Sequence, residues 1–139
     1  MNRNKSGLFL VELIIAIAFF AITSAVCVQL FAMANTLSVR SVALQMSVMN
    51  AQNVAESFKA TGGNINKMGY ILQADYIGNN VLSLNFDENW QQNSYMNRYI
   101  LTVNVDINYV PAVAQISIKD TTLGEEIYSL TVNRYLGVH

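Results

Sequence analysis

One carboxylate, Glu12, stands inside a run of 27 residues, Leu8 to Ala34, that carries no other formal charge. A carboxylate in the middle of a bilayer costs roughly 2.5–3.5 kcal/mol on insertion scales, so an acid in such a run is a functional residue by default. Conventional catalysis has little to work with elsewhere. The only histidine is the terminal His139, no glycine-rich phosphate loop is present, and serine and cysteine lack a histidine base, so no enzyme activity is expected. Asp120, Glu125 and Glu126 cluster around a turn, but without EF-hand spacing they read as a solvated turn rather than a calcium site. No cofactor or metal is expected.

The element that must position Glu12 is an apolar helix. Leu8 to Ala34 would be about 40 Å long as a helix, against a hydrocarbon core of about 30 Å, so it can span a membrane. Arg3 and Lys5 precede the run and the next basic residue is Arg40. That asymmetry places residues 1–7 on the cytoplasmic side and residues 35–139 outside. A secretory signal peptide would have a shorter core without an acid. A lipoprotein signal at Cys27 would need a leucine and a small residue where Ser24-Ala25-Val26 stands. A plain membrane anchor, with Glu12 near the interface, also fits the pattern.

The stretch Ser6-Gly7-Leu8-Phe9-Leu10-Val11-Glu12-Leu13, behind its short basic leader, resembles the processing signal of type IV prepilins and pseudopilins. The resemblance implies that a membrane-embedded prepilin peptidase cuts between Gly7 and Leu8 and methylates the Leu8 amine. It also implies that Glu12, then the fifth residue, pairs in a filament with the Leu8 amine of a neighbouring subunit. Other pilin subunits, an inner-membrane platform and an ATPase are the implied partners, besides membrane lipid. The implied location is the cytoplasmic membrane, single-pass, and then an extracytoplasmic filament. Leu8 stands where phenylalanine is usual, with Phe9 second, and the helix lacks the proline common in major pilins, Pro111 being the only one. A minor pilin or pseudopilin of a pilus, type II secretion or competence machine is therefore expected. The alternative is a non-assembling single-pass anchor for a binding or adhesion domain.

The rest of the chain reads as a small α+β domain. Asn35 to Ala60 has neither proline nor glycine, and Leu37, Ser41, Leu44, Val48, Ala51, Ala55 and Phe58 recur at steps of three and four, which predicts one helical face packed on a sheet. Gly62-Gly63 stops the helix, giving one helix from about Leu8 to Thr61. Val81 to Phe86 is a strand candidate. Tyr99 to Val110 alternates, with Tyr99, Leu101, Val103, Val105, Ile107 and Tyr109 on one face; Val113 to Lys119 and Tyr128 to about Tyr135 follow as further strands of an antiparallel meander. Segments 62–80 and 87–98 read as surface loops in which Tyr70, Tyr76, Trp90 and Tyr95 either cover a small core or meet a partner. Cys27 is the only cysteine, so no internal disulfide forms, and it reads as a small buried apolar residue. Without residues 1–7 the chain keeps six basic and nine acidic residues, net −3, so strong nucleic-acid binding is not expected.

Overall fold

The structure is a computed structural model and describes residues 3–108 and 110–135, with side chains from Lys5 onward. Tyr109, His139 and the Arg3 side chain lie outside the described residues. The chain divides into two units, Met1–Ser41 and Val42–His139. Helix α1 (Arg3–Thr61) belongs to both.

In the first unit the helix is alone. None of its most apolar stretch is buried, and Leu8 is 76% exposed. Cys27, expected to be buried, is exposed too. The polar entries do not break the helix, because their hydroxyls bond within it: Thr23 Oγ1 donates to the carbonyls of Phe19 and Phe20 at 3.0 Å, and Thr36 Oγ1 to Ala32 at 3.0 Å. Such back-bonding satisfies a hydroxyl without water, which a membrane interior requires.

The second unit is the α+β domain. Strands β1 (Tyr76–Gly78), β2 (Val81–Phe86), β3 (Tyr99–Asp106), β4 (Ala112–Asp120) and β5 (Glu125–Arg134) form one antiparallel sheet in sequence order. The alternation read from the sequence decides its faces. Leu82, Leu84 and Phe86, then Tyr99, Leu101, Val103 and Val105, then Ala112, Ala114, Ile116 and Ile118 are buried on one side. Ala51, Val54, Ala55 and Phe58 of α1 and Met68 join the same core. Burying a phenylalanine such as Phe58 contributes about 1.5–3 kcal/mol. Ile107, expected on the buried face, lies beyond the end of β3 and is exposed.

The buried face of α1 differs from the expected stripe. Ala51, Ala55 and Phe58 are buried, but upstream the contact runs through Ser47 and Ala43, while Leu44 is 46% exposed and Leu37 and Ser41 are exposed. A strict seven-residue repeat drifts about 20° per heptad around a straight helix. Extended from Phe58 back to Leu37, it leaves the face that the sheet covers. Small residues line that face, and the Ser47 and Ser57 hydroxyls are buried there without a hydrogen-bond partner among the described residues.

Gly62 and Gly63 end α1 with φ of 69° and 79°, and the Gly63 amide donates to the Phe58 carbonyl at 3.1 Å, a Schellman closure that needs the left-handed conformation. Segment 62–80, expected as a loop, instead forms a second helix and a hairpin strand. Helix α2 (Ile65–Leu72) starts at Asn64, whose side chain accepts from the Lys67 amide at 3.1 Å. Ile65, Met68 and Leu72 supply its inward side. Asn79 and Asn80, at φ of 48° and 63°, make the two-residue turn into β2, since asparagine tolerates the two positive φ values a tight hairpin demands.

Candidate functional site

Gly7, Leu8 and Glu12 lie on α1, which is already helical at Arg3. Leu8 and Glu12 are four residues apart, so they share one face a single turn apart. Both are exposed, among Phe9, Leu10, Val11, Leu13 and Ile14, which are exposed as well. Glu12 has no ion pair among the described residues, where one salt bridge, far along the chain, is found. Lys5, the described basic residue before Gly7, is exposed and not paired with it. The carboxylate therefore has no partner within the described part of its own chain.

Gly7 is informative for what it does not do. A Cβ placed there meets nothing within 4 Å, and the residue does not have a positive φ. Among the described residues neither packing nor backbone geometry calls for glycine, which inside a helix costs about 0.5–1 kcal/mol relative to alanine. The choice is intelligible if another molecule must reach the backbone at this point, or if the turn before Leu8 must open.

The second unit contains a polar cluster that sequence reasoning missed. Asp120 was expected in a solvated turn, but it is buried. Its Oδ2 accepts from Arg98 Nη2 at 3.1 Å, while its Oδ1 accepts from the amides of Thr122 at 2.8 Å and Leu123 at 3.1 Å. Arg98 Nη1 also donates to Thr122 Oγ1 at 3.0 Å. Partial desolvation works against the guanidinium charge, yet the attraction of Asp120, helped by Tyr99, outweighs it and raises the Arg98 pKa above its ordinary value. Asp120 therefore fixes the β4–β5 connection, and Glu125 and Glu126 beside it are exposed. The distance in sequence between Arg98 and Asp120 hid the pair; the strand register, Tyr99 opposite Asp120, creates it.

The aromatic residues divide. Trp90 is 8% exposed, stacked on Tyr99 with ring centroids 4.0 Å apart and planes 12° apart, and close to Phe86 at 5.8 Å. It closes the core at that end. Tyr95, at 95% exposure, and Tyr70 and Tyr76 do not.

Compared with known proteins, the chain matches no family model, no curated protein and no solved structure. The functional reading therefore rests on the residues and their placement.

Proposed function

We propose that the chain is a minor pilin or pseudopilin subunit of a type IV filament machine. Gly7 and Glu12 carry the reading together: a glycine inside α1, directly before its apolar run, that meets no packing neighbour among the described residues, and a carboxylate one turn past Leu8 that has no ion pair among them. Cleavage between Gly7 and Leu8 removes Arg3 and Lys5 and creates an ammonium group at Leu8, methylated by the same peptidase. The apolar first half of α1 then holds the subunit in the cytoplasmic membrane with its α+β domain outside. On assembly this helix leaves lipid for the filament interior. There Glu12 accepts from the Leu8 ammonium of a neighbouring subunit, and two charges that are costly alone neutralise each other in a fixed register. The platform and the ATPase supply the work of extraction.

Intact-mass analysis of the protein from membrane extracts tests this. The expected mature chain begins at Leu8 and carries one added methyl group. An unprocessed start at Met1 would replace the proposal with a non-assembling anchored binding domain. A start between Ala25 and Val28 would mean that the apolar helix is a removable signal.

A further inference from the structure

Between Lys5 and Glu56, helix α1 carries two charges, Glu12 and Arg40. They stand 28 residues apart with neither proline nor glycine between them, which is about 42 Å along a helix that rises about 1.5 Å per residue. A bilayer is about 40–45 Å thick with both headgroup layers included and about 30 Å across its hydrocarbon core. The two charges are therefore one whole bilayer apart. Two depths for the helix compete. If hydrocarbon begins at Leu8, about 20 residues span it, so it ends near Val28. Glu12 is then drawn inside, while Leu30, Phe31, Met33 and Leu37, all exposed and Phe31 at 80%, are left among headgroups or in water. If Arg40 stands instead at the outer phosphates, Glu12 stands at the inner ones and hydrocarbon runs from about Ala16 to about Thr36. That depth covers Leu30, Phe31 and Met33, and it sets Gly7 and Leu8 on the water side of Glu12.

The surroundings of Arg40 favour the second depth. Arg40 is exposed and has no salt bridge among the described residues. With Ala32, Met33, Ala34, Thr36 and Leu37 it lines a shallow depression of about 500 Å³ on the helix surface. The Thr36 hydroxyl is spent on the Ala32 carbonyl at 3.0 Å. What remains is an apolar trough with one guanidinium at its end, the complement of an amphiphile with an apolar tail and an anionic head.

We propose that Arg40 is a phospholipid-binding residue that sets the depth of α1 in the membrane. Its guanidinium holds the phosphate of an outer-leaflet phospholipid through paired N–H donors, and an acyl chain of that lipid lies along Ala32, Met33 and Leu37. Glu12 is thereby held at the opposite headgroup layer, where its carboxylate keeps water until the subunit leaves the bilayer. The inference rests on the reading that the first half of α1 lies in a membrane; it does not depend on filament assembly.

Cys27, the only cysteine, is exposed and lies one residue from the midpoint between Glu12 and Arg40, so it reports the depth directly. The full-length protein is labelled there with a fluorophore and reconstituted into phosphatidylethanolamine and phosphatidylglycerol vesicles carrying nitroxide lipids, with the quencher either at the headgroup or at the end of the acyl chain. Strongest quenching by the chain-end nitroxide, which marks the midplane, is expected. Arg40→Ala moves the label off the midplane by about one helical turn, roughly 5 Å, whereas Arg40→Lys, which keeps the charge, holds it there. In vesicles of uncharged galactolipid, which lack phosphate, the wild-type protein reads as Arg40→Ala does, and inorganic phosphate in the buffer does not restore it. Strongest quenching by the headgroup nitroxide, an unchanged depth in Arg40→Ala or in galactolipid, or rescue by free phosphate overturns the proposal and leaves the membrane reading standing. No quenching by either lipid overturns both.

Discussion

At the scale of single residues, two carboxylates have opposite circumstances. Glu12 is exposed on an apolar helix with no counter-charge among the described residues, so in isolation it contributes nothing that stabilises the chain. On the proposed reading, Glu12→Ala makes the apolar helix more apolar and is expected to leave membrane insertion and removal of residues 1–7 intact. If the carboxylate neutralises a neighbour's Leu8 amine, its loss costs about 3–5 kcal/mol per contact, and recovery of the variant with sheared filaments falls by orders of magnitude at matched membrane levels. Equal recovery of wild type and variant would sink that mechanism. Asp120 is spent within its own domain. Asp120→Ala removes the Arg98 bridge and both amide contacts, and because Arg98 is partly exposed the loss is screened to about 2–3 kcal/mol. Thermal melting checks this: a drop of less than about 4 °C in a domain of this size would mean that the cluster is dispensable.

At the scale of elements, the informative comparison lies on α1. Ala51 is fully buried against the sheet, whereas Leu44, larger and on the face that the heptad spacing favours, is half exposed. Ala51→Leu forces extra volume into the contact and destabilises the domain by about 1–3 kcal/mol, while Leu44→Ala stays within about 0.5 kcal/mol. Denaturant unfolding of the two variants distinguishes them; the reverse order would mean that the helix packs in the register read from the sequence. The sequence was legible where one period dominated. Val81 to Phe86 matches β2, and the alternation from Tyr99 matches β3 through Asp106. It was misleading in 62–80, where Gly62-Gly63 ends one helix only for Asn64 to cap another.

At the scale of the molecule, the unit Val42–His139 holds the shared core and the first unit holds none of it. A fragment beginning at Asn35 retains every α1 residue of that core, from Ala43 to Phe58, together with α2 and the sheet. It is expected to be soluble, to show helix and strand together by circular dichroism, and to melt in one cooperative transition. Aggregation or a gradual melt would mean that residues before Asn35 belong to the folding unit.

Composition and linear order alone determined that an apolar segment able to cross a membrane carries one acid behind a glycine, because hydrophobic length and charge are properties of the unfolded chain as much as of the folded one. Local periodicity likewise determined the α+β class and most of the strands. Tertiary structure alone decided which side of α1 meets the sheet, since the part of the helix after Ser41 spreads small and apolar residues among polar ones around its circumference and so offers more than one face to pack. It alone brought Arg98 to Asp120. That pairing depends on cross-strand register, which is set by the packing of one buried face and by turn geometry, and by no spacing along the chain.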